Sequence, residues 1–140
     1  MSEAQELDAL LRKLPAGFLI EPQARMELFT GTMRWILQVL GTTFSIELFL
    51  LGPDVHHREM FRRKRYETVP ALDRKAWLPS PEDLIIQKLR WARYKDLDDV
   101  LHILAIQGNA LDMSWIESWC ARHGTSAKLA ELRASLPPLE

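Results

Sequence analysis

Residues 80–100, SPEDLIIQKLRWARYKDLDDV, carry the strongest structural signal in this chain. Ser80 is a good helix cap, Pro81 fits the first helical position, and the two acidic residues that follow suit the positive end of a helix dipole. Apolar residues then recur at helical spacing, namely Leu84, Ile85, Leu89 and Ala92. The pattern predicts a helix with one apolar face, followed after a short connection by a second helix.

Lys88 lies in the middle of that apolar face. Because burying an unpaired ammonium is costly, we expect Lys88 either to reach water or to meet an acid, for which Asp96, Asp98 and Asp99 are the candidates. Two interpretations stay open. One is a helical hairpin in which Asp96 caps the second helix and Lys88 is a structural ion-pair partner. The other is a phosphate-handling surface, formed by Lys88, Arg93, Lys95, Asp96 and Asp99.

The motif S-P-E-D-L-I-x-x-K-L followed by K-D-L-x-D-V resembles the second half of small bacterial nucleotidyltransferase-fold proteins, which are related to the AbiEii-like toxins. Residues 44–51 resemble the family strand that carries a third carboxylate, and residues 56–63 resemble the segment that follows it. Residues 104–111 together with 115–119 resemble the closing helices. The resemblance implies an α+β fold, with a truncated nucleotidyltransferase-like mixed sheet and helices followed by a C-terminal helical cluster. It implies one domain, residues 1–140, with an α/β part over 1–79 and a helical part over 80–140.

The resemblance also implies roles for individual residues. Glu47 takes the third-carboxylate position, where the family usually has an aspartate. An alternative from the residues alone is that Glu47 is a half-exposed strand residue paired with Arg34 or another basic residue. The remaining assignments are nucleotide or phosphate contacts at Lys88, Arg93 and Lys95, with Asp96 and Asp99 orienting them.

Parts that active family members need are missing from the sequence. They have a Gly-Ser or Gly-Gly turn whose amides hold phosphates, and a strand with Asp-x-Asp that binds Mg²⁺. No Gly-Ser or Gly-Gly occurs here, and the one Asp-x-Asp, residues 96–98, falls at a predicted helix start. We therefore expect a truncated, catalytically inactive pseudoenzyme of the transferase class. It would need no cofactor alone, hold no metal ion, and use Mg²⁺ only if the missing N-terminal part were supplied.

Composition limits the classes of partner and compartment. The net charge of −1 argues against strong nucleic-acid binding by the whole chain. The single cysteine, Cys120, excludes an internal disulfide and fits a reducing compartment, so we expect a cytoplasmic protein. A signal peptide and an apolar run of about 18 residues are both absent, so no membrane association is expected.

Periodicity elsewhere predicts further elements. Helices are expected over residues 3–14, 22–29, 114 onward with Ser114 as cap, and 126–135. Strands are expected over residues 18–20, 33–40, 43–51, 66–69 and 76–78. The strands over 33–40 and 43–51 and the turn between them predict a hairpin, and its largely apolar faces predict a sheet covered on both sides. Trp115 and Trp119 are interpreted as core residues, with a stacking platform as the alternative.

Two polar clusters have a functional and a structural interpretation. His56 and His57 are adjacent, but neighbours on a helix point about 100° apart, which does not favour a shared metal ion. Residues 62–65, RRKR, could contact phosphates, yet Glu59 and Glu67 flank them, which favours a solvated face.

Two non-catalytic functions remain as alternatives. The chain could be an interaction module in which a homodimer, or a second chain, covers an exposed sheet edge, with Trp35, Phe49 and Trp77 as candidate contacts. It could instead bind an NTP near Lys88 and Arg93 without chemistry. Light scattering and a thermal-shift screen with nucleotides would distinguish the two.

Overall fold

The computed structural model describes residues 3–21, 23–28 and 31–137 of the chain. Its α-helices are α1 Glu3–Leu11, α2 Val55–Arg63, α3 Pro81–Trp91, α4 Tyr94–Gln107, α5 Met113–His123 and α6 Ser126–Ser135. Its strands are β1 Phe18–Ile20, β2 Arg25–Glu27, β3 Thr32–Val39, β4 Ser45–Phe49, β5 Arg65–Val69 and β6 Arg74–Leu78. The strands form two small sheets, so the chain has an α+β fold, as predicted.

The chain divides into two compact units, Met1–Arg58 and Glu59–Glu140. The first holds α1 and β1 to β4, and the second holds β5, β6 and α3 to α6, while α2 runs across the boundary. A single domain divided at residues 79 and 80 stays a prediction.

Strand β3 is the centre of the sheet in the first unit. Strand β4 pairs with one side of it, and β1 and β2 share the other side. The β3–β4 hairpin is confirmed, with Ile36 opposite Glu47 and Gly41 in its turn at a φ of 77°. All described strands pair antiparallel, whereas the resemblance implied a mixed sheet. The short turn at Gly41 allows only antiparallel pairing of its strands.

The predicted helix over residues 22–29 is wrong where the structure describes this segment. Residues 25–27 form β2, in which Arg25 lies opposite Arg34 and Met26 opposite Met33. Backbone pairing with β3 therefore outweighs the local helix-start signal at Pro22, which itself lies outside the described residues together with 29 and 30. Helix α1 also ends at Leu11, three residues before the predicted end.

Strand β4 is not covered on both faces, contrary to the prediction. Phe44 before the strand is 73% exposed, and Ile46 and Phe49 are 43% and 38% exposed. Burial in this unit centres on β3 instead, where Ile36, Leu37 and Thr32 are buried. Apolar composition predicted the strand, but exposure depends on what packs against it, which composition does not determine.

The four helices α3 to α6 enclose the core of the second unit. Trp119 is buried in it and Trp115 packs against it, so the interpretation of this pair as core is confirmed. Helix α6 has the predicted bounds, while α5 begins two residues earlier than a helix capped by Ser114 would, because Asp112 caps it instead. The other buried members of the core are Ile85, Ile86, Leu89, Val100, Leu104, Leu111, Ile116, Cys120, Leu129 and Leu132.

The second sheet is the β5–β6 hairpin, in which Arg65 lies opposite Leu78. Both predicted strands are confirmed and are slightly longer than expected. Within the described part of the chain, no helix combines the length and apolarity needed to cross a membrane.

Candidate functional site

Helix α3 begins as the sequence predicts. The Ser80 hydroxyl accepts a hydrogen bond from the Asp83 backbone N–H at 3.1 Å, and Pro81 occupies the first helical position. Acidic residues at 82 and 83 lie in the first turn, at the positive end of the dipole. The motif thus has a local structural role at the start of the helix.

Asp83 makes tertiary contacts that the helix-start pattern does not predict. Its carboxylate is fully buried and connects three segments. It accepts hydrogen bonds from Ser80 Oγ at 2.7 Å, from Arg63 Nε at 3.0 Å and from Trp115 Nε1 at 3.0 Å. The Arg63 guanidinium also lies 4.0 Å from the centre of the Trp115 ring. Asp83 therefore links α3 to the end of α2 and to α5.

Glu82 makes a second link to α5. Its buried side chain accepts a hydrogen bond from the Asp112 backbone N–H at 3.1 Å, and Asp112 in turn caps α5 through Trp115 N–H. Sequence spacing missed these contacts, since Asp112 lies 30 residues beyond Glu82. An acidic pair after Ser-Pro indicates the start of a helix, but it does not indicate which distant residues donate hydrogen bonds to those acids.

The connection between α3 and α4 differs from the predicted cap. Ala92 adopts the left-handed conformation with a φ of 51°, and its N–H donates to the Lys88 carbonyl. Arg93 occupies the cap position of α4, and Asp96 is the third helical residue, where its carboxylate accepts from the Arg93 N–H at 3.3 Å. The prediction that Asp96 itself caps the helix is wrong, because α4 begins two residues before it.

The structure brings together four of the predicted site residues at this connection. Lys88 Nζ lies 2.6 Å from Asp99 Oδ2 and 3.8 Å from Asp96 Oδ1. Arg93 meets Asp96 twice, with Nε 2.6 Å from Oδ2 and Nη2 3.2 Å from Oδ1. Asp96 is buried, and Lys88 is largely buried with only 18% of its side chain exposed. We call Lys88, Arg93, Asp96 and Asp99 the α3–α4 cluster.

The α3–α4 cluster perturbs one of its own carboxylates. The hydrogen bond from Lys88 lowers the pKa of Asp99, and the positive charges of Lys88, Lys95 and His102 lower it further against an opposing effect of burial. Lys95, the remaining predicted phosphate contact, is exposed on the first turn of α4. It acts on the cluster through its charge.

The ion pairs within the α3–α4 cluster determine whether it could bind a phosphate. Each predicted phosphate-binding cation within it, Lys88 and Arg93, already faces a carboxylate at hydrogen-bond distance. A phosphate would have to displace Asp96 or Asp99 and overcome the repulsion of the freed carboxylate. The arrangement therefore favours the structural ion-pair interpretation over the phosphate-handling one.

Glu47 belongs to the first unit, on β4. Its Oε2 accepts from Arg34 Nη1 at 3.1 Å across the hairpin, which is the strand pairing that the sequence offered as an alternative. Histidines 56 and 57 are both buried, and His57 Nδ1 lies 3.5 Å from Thr32 Oγ1. Among the residues that the structure describes, no group of three or more histidine, cysteine or acidic side chains is placed to hold a metal ion.

Comparison with protein-family models, curated proteins and solved structures gives no match for this chain. The likeness to nucleotidyltransferase-fold proteins therefore depends on the motif at residues 80–100 and stays a proposal. What the chain can do has to be argued from its own contacts.

Proposed function

We propose that the chain is a nucleotidyltransferase-like protein without catalytic activity of its own, and that it acts as an interaction module by forming a homodimer through β4. The proposal depends on the exposure of the β4 side chains and on the pairing of the strand's two edges. Its Ile46 and Phe49 side chains are exposed, and no described strand pairs with its outer edge. Exposed edges of this kind are usually paired or covered in native proteins.

The lack of catalysis is supported by the pairing of charged groups. Nucleotidyl transfer needs metal ions and cations to offset charge on the phosphates. The sequence has no Asp-x-Asp on a strand, and the cations at Lys88 and Arg93 face Asp99 and Asp96. We expect no transfer from labelled NTP with Mg²⁺ to RNA or protein acceptors. Transfer that Glu47→Gln abolishes would overturn this part of the proposal.

The hydrogen bonds of the hairpin determine which groups β4 offers to a partner. Leu50 N–H donates to the Met33 carbonyl at 2.9 Å, and the Phe44 carbonyl accepts from Val39 N–H at 3.0 Å. Backbone groups of residues in an antiparallel strand point alternately to either side. The even-numbered residues of β4 therefore bond to β3, and the backbone groups of Ser45 and Glu47 point away from it.

Charge selects the register of a symmetric pairing. A two-fold axis at Glu47 would place two glutamates opposite each other, which is unfavourable. An axis at Ile46 places Ser45 opposite the partner's Glu47, so that both outward backbone pairs can exchange hydrogen bonds. In this register Phe44 lies opposite the partner's Leu48, and the two Ile46 side chains meet. The exposed apolar row is then covered by its own copy.

A disulfide trapping experiment tests this register. In a Cys120→Ser background, Ile46→Cys should oxidise to a covalent dimer, because residues on the axis form a non-hydrogen-bonded pair with Cα atoms about 4.5 Å apart. Glu47→Cys is the matched control, since the two copies of residue 47 lie on a diagonal about 7–8 Å apart. Equal trapping of both variants, or none of Ile46→Cys, would contradict the register.

Light scattering tests the association itself. The wild-type chain should have the mass of a dimer, and Ile46→Lys should be a monomer because it places two charges at the centre of the interface. Ile106→Lys is the control, since Ile106 is an exposed isoleucine on α4, away from β4 in the sequence. A wild-type chain that stays monomeric at all concentrations would rule out the homodimer.

A further inference from the structure

The β5–β6 hairpin and the end of α2 expose aromatic rings beside one another. Tyr66 and Trp77 form a cross-strand pair with ring centres 5.1 Å apart, and they are 57% and 60% exposed. Phe61, in the last part of α2, is also exposed. Rings that lie open to solvent bury little area against the core, so core packing does not account for this cluster.

Two lysines accompany these rings. Lys64 Nζ lies 3.7 Å from the centre of the Phe61 ring and 5.1 Å from that of Trp77, and Lys75 Nζ lies 6.0 Å from that of Tyr66. Neither lysine forms an ion pair with a carboxylate in the described part of the chain. We call Phe61, Lys64, Tyr66, Lys75 and Trp77 the aromatic platform.

The basic run at residues 62–65 is thereby divided between two roles. Arg62 pairs with Glu59 and Arg63 with the buried Asp83, so these two charges are engaged within the chain. Lys64 instead lies over exposed rings. Residues 59–78 hold six basic and three acidic residues, so this segment is positive although the whole chain is not. The flanking acids do not neutralise the platform.

We propose that the aromatic platform binds single-stranded nucleic acid, with bases stacked on Tyr66 and Trp77 and backbone phosphates at Lys64 and Lys75. Aromatic faces beside cations are the recurrent means of binding single strands without sequence preference, because every base has a π-face. In a duplex these faces are stacked and inaccessible. With two lysines in the platform and a net charge of −1 for the chain, the complex is weak and strongly salt-dependent.

Fluorescence anisotropy with a labelled oligouridine of about 12 nucleotides, at about 50 mM salt, tests this site. Wild-type protein should bind with a Kd of about 100 μM or tighter. Trp77→Ala and Tyr66→Ala should each weaken binding at least about fivefold. Tyr94→Ala, which removes an exposed ring on α4, is the matched control and should bind like wild type.

Two further arms separate base stacking from charge. An abasic oligomer of the same length keeps its phosphates, so it should bind more weakly and be insensitive to Trp77→Ala. Lys64→Gln with Lys75→Gln keeps the aromatic pair and should reduce the slope of log K against log salt by about 0.7 for each phosphate that the lysines no longer neutralise. Lys128→Gln, on α6, should not change the slope. The lysine variants also keep the test decisive if an aromatic variant fails to fold.

Several results would overturn the proposal. They are absence of binding by wild-type protein, equal affinity for duplex and single strand, and an effect of Tyr94→Ala as large as that of Trp77→Ala. Oligouridine and oligodeoxyuridine should bind equally, because they differ only in the sugar, which neither the rings nor the lysines distinguish. A tenfold preference for either would contradict recognition by stacking and charge.

Discussion

Asp83 shows how one buried carboxylate can organise a helical unit. A buried carboxylate is costly unless it is paired and hydrogen-bonded, and here Ser80, Arg63 and Trp115 all donate to it. Removal of the acid would leave the Arg63 guanidinium and the Trp115 indole without their acceptor. Asp83 thus contributes to stability through the groups it satisfies.

We predict that Asp83→Ala lowers the free energy of unfolding by about 3 kcal/mol, since breaking a buried charge pair leaves an uncompensated partner. Urea denaturation at neutral pH measures the change. Glu59→Ala is the control, because its ion pair with Arg62 lies at the surface, and it should leave the denaturation midpoint close to wild type. Similar midpoints for Asp83→Ala and wild type would contradict the role given to this carboxylate.

Asp99 gives a pH-dependent prediction. Its pKa is lowered in the folded chain, chiefly by the hydrogen bond from Lys88, so the native state binds fewer protons than the unfolded state between the two pKa values. The stabilisation is therefore complete above the unfolded pKa, about 3.9, and is lost as pH falls through the lower folded value. Carboxyl-carbon NMR titration should show Asp99 below its ordinary pKa, and Lys88→Met should raise it. An unchanged pKa in that variant would contradict the pairing.

Helix α3 has a start that the sequence predicts and an end that it does not predict. Its start at Ser80 and Pro81 follows from cap and proline preferences, and its apolar face follows from periodicity. Its end does not, because Ala92 takes a left-handed conformation that glycine or asparagine usually occupies. The N–H of Ala92 still closes the helix on the Lys88 carbonyl.

We therefore predict that Ala92→Gly raises the free energy of unfolding by about 1 kcal/mol, because it removes the steric cost of a left-handed β-carbon. The same substitution at Ala105, an exposed position inside α4, should lower it by about 0.5–1 kcal/mol. Thermal unfolding of the two variants gives opposite shifts if the conformation is correct. A drop in stability in Ala92→Gly equal to that in Ala105→Gly would refute it.

Local sequence patterns do not predict contacts between residues that lie far apart in the chain. Helices α3 to α6, the β3–β4 hairpin and the strands β5 and β6 could be predicted, because their apolar periodicity and turn residues are local. Strand β2 could not, since only pairing with β3 makes it extended. The same holds for Asp83, whose donors Arg63 and Trp115 lie 20 and 32 residues away. The proximity of Lys88 to Asp96 and Asp99 is predictable, because these residues lie on helices that follow each other directly in the chain.

In the molecule as a whole, each of the two units forms ion pairs between its own charged side chains. Glu47 meets Arg34 in the first unit, and Lys88 and Arg93 meet Asp99 and Asp96 in the second. The residues that the resemblance designates for catalysis and phosphate binding are thus largely engaged with one another. Exposed apolar and aromatic groups on β4 and on the β5–β6 hairpin remain for contact with other molecules.

We propose that the α3–α4 cluster is structural and does not hold a nucleotide. Its most direct test is thermal unfolding of wild-type protein and Lys88→Met with and without millimolar Mg-NTP, because a bound ligand raises Tm by mass action. We predict that Lys88→Met lowers Tm and that nucleotide leaves the Tm of both proteins unchanged. A concentration-dependent rise in the Tm of the wild type that Lys88→Met abolishes would contradict the claim.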